Sequence, residues 1–572
     1  MTTLEQTLQQ YQESFDIIDI INLDDWYSLA YYERPKWLRN KIETVYRTCY
    51  QENQRIIFTL TQGDEYIDEK DNVGVILTTL QELLNQVDIS NFFVVLLTTD
   101  TDDLRTAEIH VKQRSTDSVP ITFSYFNATL NNVCKRIVNQ KNSNLGYNYN
   151  STRPLKIEIE DLTKQQKHLL LESKQFCIYP WIHMHVEPSG QVFPCCGMTH
   201  HDLGSLGNSN HSSLNKIWNS DRMKQLRTNM LSGRDTKSCS RCYEQEQSGF
   251  FSMRNSGNKH HGHHINLVDA TRPDGTVDKF SMIYWDVRFS NLCNLKCRSC
   301  GPGFSSSWYS DQVRLAPDYA KTHKAMIFAG KYETDLWEQL LEHIDHVEQI
   351  YFAGGEPIMM DEHYRILEEL ERRGKFNVRL IYNTNFTQIR LKDRTVFDYW
   401  KKFDSVSIGA SLDGSHERGE YIRKGTDWQE VEDNRRLMME ICPQVDFYVS
   451  ATLSILNAWH LPDFHRDWTE KGLIKAKDFN VNILTDPAHY RLDIAPKEYK
   501  QQLQTKYQQH LAWLTPQDLL RRASNGYQSA IKFMNATDNT NLIGSFWRKT
   551  HELDSIRNEC CLDVIPELRA LQ

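Results

Sequence analysis

The sequence predicts an α/β protein whose central part is a partial (β/α)6 barrel of the TIM type. Three observations lead there. From about residue 280 onward, short apolar runs of β-branched and aromatic residues alternate regularly with segments of helical periodicity. Six such pairs occur before residue 485, which fits a barrel whose chemistry belongs at the loops after the C-terminal ends of the strands. The chain has 572 residues, too many for one core, so further domains are expected on either side.

The barrel strands expected over residues 280–485 are MIYWDVRF (282–289), VEQIYFAG (347–354), VRLIYNT (378–384), SVSIGASL (405–412), DFYVSATL (446–453) and NVNIL (480–484). Between them lie helical stretches such as HYRILEELERRG, VFDYWKKF, WQEVEDNRRLMMEIC and FHRDWTEKGL. Residues 1–165 read as a separate α/β accessory domain for a substrate or partner. There RIIFTL (55–60), FFVVLL (92–97) and ITFSYF (121–126) are expected in a small parallel sheet around the helical NVGVILTTLQELLNQV. No glycine pattern in this part cradles a phosphate, and the polar stretch 139–153 marks its linker. Residues 486–572, with KEYKQQLQTKYQQHLAWL and QDLLRRASNGYQSAIKFM, form a helical C-terminal extension.

Charge and hydropathy exclude several classes. The longest wholly apolar run is FFVVLL, far short of the ~20 residues that cross a bilayer. The first residues, MTTLEQTLQQYQESFD, show no basic stretch leading into an apolar one, so no secretory signal is expected and the cytoplasm is the expected compartment. A net charge of −9 leaves no basic footprint for nucleic acid.

The 13 cysteines are grouped. Cys293, Cys297 and Cys300 lie in CNLKCRSC, directly after the first barrel strand. Three thiolates from one short loop can hold three corners of an iron-sulfur cube and leave the fourth iron open. A structural zinc would call for a fourth Cys or His, and none follows in GPGFSSSWYS. The other group is Cys177, Cys195, Cys239 and Cys242, with Cys196 adjacent. Four thiolates suit a fully ligated [4Fe-4S] cluster or a structural zinc held by cysteines alone. Cys49, Cys134, Cys442, Cys560 and Cys561 have no such company and read as buried thiols.

CNLKCRSC after the first strand, followed by AGGEP (353–357) after the second, resembles the radical S-adenosylmethionine (radical SAM) enzyme superfamily. The resemblance implies that Cys293, Cys297 and Cys300 ligate a [4Fe-4S] cluster. It further implies that Gly354, Gly355, Glu356 and Pro357 receive the methionine amino group of S-adenosylmethionine. By the same resemblance Asn385 after the third strand, Ser411 in SLDG after the fourth, and Arg423 in YIRKG are further cofactor contacts. FCIYPWIHMHVEPSGQVFPCC and the later SCSRC resemble the Twitch domain, the shortened relative of the SPASM domain. That implies an auxiliary [4Fe-4S] cluster on Cys177, Cys195, Cys239 and Cys242 within residues 170–255, although Twitch domains usually follow the barrel and this one precedes it. Cys196 is then a spare ligand, a hydrogen-atom donor or a bystander. HHGHH (260–264) reads as solvated linker.

The implied reaction is reductive cleavage of S-adenosylmethionine to a 5′-deoxyadenosyl radical, then hydrogen abstraction from a peptide, protein or small molecule, with net oxidation aided by the auxiliary cluster. A flavodoxin- or ferredoxin-type donor would supply electrons. Peptide epimerisation and a non-catalytic electron carrier or redox sensor are the alternatives, and the GGEP segment weighs against a carrier, which has no need of S-adenosylmethionine.

Overall fold

A computed structural model describes residues 17–22, 56–61, 92–96, 108–111, 119–122, 161–198, 204–247, 252–330, 335–518 and 521–572. The chain divides into two compact units, residues 1–167 with 259–263 and residues 168–258 with 264–572.

In the first unit β1 (Ile17–Asn22), β2 (Ile56–Thr61) and β3 (Phe92–Leu96) pair in parallel in that order. β4 (Glu108–Val111) and β5 (Val119–Thr122) form an antiparallel pair of their own. The expected parallel sheet is therefore present, but its first strand is IIDIIN, and the third expected run, ITFSYF, overlaps the antiparallel pair only at Ile121 and Thr122. The expected helix at NVGVILTTLQELLNQV lies outside the described residues.

The second unit is organised by one nine-stranded sheet. Its strands are β6 (His183–Val186), β7 (Gln191–Phe193), β8 (Gly207–Asn208), β9 (Tyr284–Val287), β11 (Gln349–Phe352), β12 (Arg379–Thr384), β15 (Val406–Ala410), β17 (Asp446–Leu453) and β18 (Phe479–Ile483). Two-residue strands complete the set, with β10 (Lys296–Cys297) paired to β16 (Arg423–Lys424) and β13 (Arg390–Leu391) to β14 (Arg394–Thr395). The order is β18-β17-β15-β12-β11-β9-β6-β7-β8, parallel from β18 through β6. β9, β11, β12, β15, β17 and β18 are the six expected barrel strands, each inside its expected range to within one residue.

β6 pairs in parallel with β9, His183 opposite Tyr284 through Val186 opposite Val287, so the cysteine-rich segment does not build a separate sheet. It extends the barrel sheet on the β9 edge and ends in the antiparallel β7 and β8. HMHV carries two histidines and is only four residues long, too weak a strand signal to be read from sequence. The tract at residues 253–264 also differs from the expected linker: Met253–His261 is helical, a short 3-10 turn follows, and His261 is buried.

Period-two alternation separates the two faces of the barrel sheet. In β12 Leu380, Tyr382 and Thr384 are buried while Arg379, Ile381 and Asn383 are half-buried, and β17 alternates likewise. Tyr382 packs on Trp400 and His363, Phe447 on Trp468, and Phe479 on Phe464, which fixes the buried row as the helix-facing side. The other row, with Tyr351, Arg379, Asn383, Asp446 and Tyr448, lines the concave face.

The helices start where their sequences allow. Asp427 caps the Trp428–Ile441 helix by accepting from the Gln429 and Glu430 amides, and Pro462 sits in the first turn of Leu461–Glu470. In the C-terminal extension the Arg522–Ala536 helix lies directly on β18 because Gly526 leaves room for it: a Cβ there would stand 2.7 Å from Val481 Cβ. Gly526→Val should therefore force helix and strand apart and lower stability by about 1–3 kcal/mol, measured by urea unfolding of the full chain.

Candidate active site

The loop 293–300 leaves β9 and is held by groups on both sides. The Cys293 amide donates to Ser306 Oγ (3.2 Å), and Ser307 Oγ donates to the Cys293 carbonyl (2.7 Å). Ser305 Oγ donates to the Leu295 carbonyl (2.6 Å) and Trp308 Nε1 to the Cys297 carbonyl (2.7 Å). The GPGFSSSWYS stretch thus braces the loop that carries the three thiols. On the other side Cys297 pairs with Arg423 in the β10–β16 ladder, and the Arg298 amide donates to the Ile422 carbonyl (2.8 Å).

Cys297 lies close enough to raise both Cys293 and Cys300. Burial, the larger cause, pushes Cys293 up to about 12 and Cys300 up to about 11; neighbouring thiols add to both. Cys297 is also raised by burial, against the pull of Arg423. A set of crowded, desolvated thiols fits a cationic centre, which lets them ionise and relieves their mutual repulsion.

The GGEP segment is packed against this loop. Gly354 and Gly355 have φ of +83° and +37°, and a Cβ at Gly355 would lie 2.3 Å from the Leu292 carbonyl oxygen, so only glycine fits there. The Glu356 amide donates to that same carbonyl (2.7 Å). The Glu356 carboxylate is buried and accepts from Thr384 Oγ1 (2.7 Å), the Asn385 amide (2.7 Å) and the Ile358 amide (3.2 Å). Burial raises it to about 7 although all three donors pull it down. It ties the second strand's loop to the third strand's end, and Pro357 begins the short turn Pro357–Met359 beyond it.

The softer candidates are placed as follows. Asn385 Nδ2 donates to Asn294 Oδ1 (2.8 Å) and lies 4.0 Å from Cys293 Sγ, while its Oδ1 accepts from Thr387. Ser411 follows β15, half-buried, its amide donating to the Thr384 carbonyl (2.8 Å). Arg423 is ion-paired to Asp413 (2.8 Å) and reaches Cys297 Sγ at 3.7 Å, so its charge is spent on the thiol and on that carboxylate. Sequence reading missed Asp413; its signal was the conventional-looking SLDG turn. All these groups sit at the C-terminal ends of β9, β11, β12 and β15.

The second cysteine group comes together at the opposite end of the sheet. Cys177 precedes β6 and Cys195 follows β7, which returns beside β6 toward its N-terminal end. With Cys239 and Cys242 they line one apolar cavity, alongside Tyr179, Met198 and Met230. Burial pushes Cys177 and Cys195 up, Cys195 to about 12, and Cys239 and Cys242 push both further. Four thiols and no carboxylate or imidazole face the cavity, a donor set that fits a closed iron-sulfur cluster. Cys196 is not among the residues lining the cavity and lies near Asp286 in β9, which pairs with His185 at 2.9 Å.

A family model of the radical SAM superfamily matches residues 287–451, spanning the three-cysteine loop and the first strands of the barrel. The chain carries a radical SAM domain. A model of the SPASM iron-sulfur cluster-binding domain matches residues 177–243, the stretch holding all four cysteines of the second group. Among solved structures the chain is similar to native anSMEcpe with bound AdoMet and Cp18Cys peptide, at 21% identity over 38% of this chain and 56% of that one, with a TM-score of 0.26. It is also similar to TYW1 with a lysine-pyruvate adduct bound, at 13% identity over 39% of this chain and 70% of that one, with a TM-score of 0.21. The matched region thus spans little more than half of anSMEcpe. No curated protein sequence matches the chain. The cofactors of the two domains are a [4Fe-4S] cluster with S-adenosylmethionine and an auxiliary iron-sulfur cluster. No described helix is long and apolar enough to cross a membrane.

Glu356→Ala should lower stability by about 3 kcal/mol, since it strands the Asn385 and Ile358 amides and the Thr384 hydroxyl in the interior. Thermal unfolding measures this, and affinity for S-adenosylmethionine should fall with it as the glycine loop loosens.

Proposed function

We propose that this protein is a radical SAM enzyme that reductively cleaves S-adenosylmethionine at the 293–300 loop. The resulting radical then removes a hydrogen atom from a peptide, protein or small-molecule substrate, with net oxidation. The observation that carries the reading is the pairing of a three-thiol loop, packed on Gly354 and Gly355 at one end of the sheet, with a four-thiol cavity at the other end. When bound, the cofactors supply a one-electron reductant, a radical source and, at the four-thiol end, an electron acceptor.

The chain's own residues have assignable tasks. Cys293, Cys297 and Cys300 are assigned to the open cluster, and Cys177, Cys195, Cys239 and Cys242 to the closed one. The backbone of Gly354 and Gly355 offers close approach for the methionine portion, with Glu356 and Pro357 fixing that loop. Asn385 and Ser411 edge the same rim, and Arg423 balances the thiolate of Cys297. Substrate is assigned to the concave face between the two cysteine sites. That face is polar and charged, with Asp286, Arg288, Tyr351, Arg379 and Tyr448, so it suits a polar molecule rather than a lipid. Arg288 Nε stands 3.6 Å from Asp286, and His185 backs the carboxylate from β6. Reducing electrons would come from a flavodoxin- or ferredoxin-type protein, and the eleven described cysteines, all free thiols, suit a reducing compartment such as the cytoplasm.

The full-length protein, reconstituted anaerobically, should hold about eight irons per chain and form 5′-deoxyadenosine with dithionite and S-adenosylmethionine. Changing Cys293, Cys297 and Cys300 together to Ala should abolish that product and leave about four irons. Persistent cleavage in the triple variant would refute the site; about four irons and one zinc in the parent would make residues 177–242 a structural zinc domain.

A further inference from the structure

The cysteine loop is gripped by the far end of the chain. Arg298 lies between Cys297 and Cys300, and its side chain is wholly enclosed. Its Nε donates to the Tyr421 carbonyl (3.2 Å), and the guanidinium stacks 3.7 Å over the Tyr421 ring. Its Nη2 donates to Asp554 Oδ1 (2.5 Å) and Glu559 Oε2 (2.7 Å), residues at and just beyond the end of the Ile543–Arg557 helix. Asp554 also accepts from the Tyr421 hydroxyl (2.8 Å) and the Cys561 amide (2.8 Å). The other oxygen of Glu559 meets Lys424 Nζ (2.8 Å), in the strand that pairs with Lys296 and Cys297.

A second grip comes from Arg557. Its Nε donates to Asp311 (2.8 Å), whose other oxygen holds Lys296 Nζ (2.9 Å). The same guanidinium lies 5.0 Å over Trp308, the ring that bonds the Cys297 carbonyl. Residues 554–559 therefore hold the loop directly at Arg298, at Lys296 by way of Asp311, and at the Cys297 carbonyl by way of Trp308. Nothing in the domain models extends to this segment.

We propose that Asp554 and Glu559 are positioning residues for the radical-site cluster: through Arg298 they fix the loop around Cys297 and cancel its buried positive charge. The inference rests on reading Cys293, Cys297 and Cys300 as cluster ligands. Two carboxylates, Asp554 and Glu559, offset two cations, the enclosed Arg298 and the half-exposed Lys424, and screening by water is weakest at Arg298. Neutralising one carboxylate makes the surroundings of the cluster more positive by one charge. Positive charge favours the state with the extra electron, so the reduction potential rises and the reduced cluster becomes a weaker donor to S-adenosylmethionine. A C-terminal helix that only filled space would not have this electrical consequence.

The test uses full-length Glu559→Gln, near-isosteric and uncharged, and Asp554→Asn, each reconstituted anaerobically and titrated redox-wise while following the EPR signal that responds to S-adenosylmethionine. Glu559→Gln should keep the iron content of the parent, titrate at higher potential and form 5′-deoxyadenosine several-fold more slowly. Asp554→Asn should do the same or lose iron from the radical site alone; if it does not fold, Glu559→Gln decides. Glu559→Asp, which keeps the charge, should restore the parent's potential. An unchanged potential and unchanged g-values in Glu559→Gln would overturn the proposal. A responsive signal that survives the triple cysteine variant would instead overturn the ligand assignment on which it stands.

Discussion

The arrangement depends on one constraint: β9 is paired in parallel on both sides, with β11 at one edge and β6 at the other. Parallel pairing aligns the three strands end for end. The segments that leave the C-terminal ends of β9 and β11 meet as the cysteine loop and the Gly354-Gly355 turn. The segments that flank the N-terminal end of β6 bring Cys177 and Cys195 together at the other end of the sheet. A single four-residue strand thus sets where both cysteine sites lie, and the concave face lies between them. Had the iron-sulfur segment formed its own sheet, the two sites would have been joined only by a linker.

Local fits keep the rim in place. The Leu292 carbonyl accepts from the Glu356 amide, and the absence of a Cβ at Gly355 permits the approach. The Glu356 carboxylate then carries the connection on to Thr384 and Asn385, and Asn385 returns it to Asn294 in the cysteine loop. Three successive loops are closed into a ring by hydrogen bonds inside a desolvated region, where each bond is strong and each loss is expensive. Rigidity of this sort holds the cysteine loop, the glycine turn and the end of β12 in fixed positions.

The barrel was legible in the sequence because its six strands are strongly β-prone runs separated by long helical patterns. The grouping of the cysteines was legible from their positions along the chain, and Cys177, Cys195, Cys239 and Cys242 do meet at one cavity. What escaped detection has physical reasons. β6, read as HMHV, offers no apolar alternation. Glu356 sits within a recognisable segment, yet nothing local tells that its carboxylate accepts from Thr384 and Asn385. Arg423 likewise spends its charge on Asp413 and Cys297, partners set by the loop after β15. The serines after Cys300 look like an ordinary flexible stretch until their hydroxyls are seen bracing the loop. The grip of residues 554–559 on Arg298 joins positions more than 250 residues apart, and such a contact leaves no local pattern to read.

The central claim is that the 293–300 loop holds a cluster with one open iron beside Gly354 and Gly355, and that the cavity of Cys177, Cys195, Cys239 and Cys242 holds a closed one. Electron-nuclear double resonance on the dithionite-reduced, full-length protein with S-adenosylmethionine labelled with nitrogen-15 at its amino group tests it directly. The account predicts nitrogen hyperfine coupling to one of the two reduced clusters and none to the other. Absence of coupling to either cluster, or coupling to both, would contradict it.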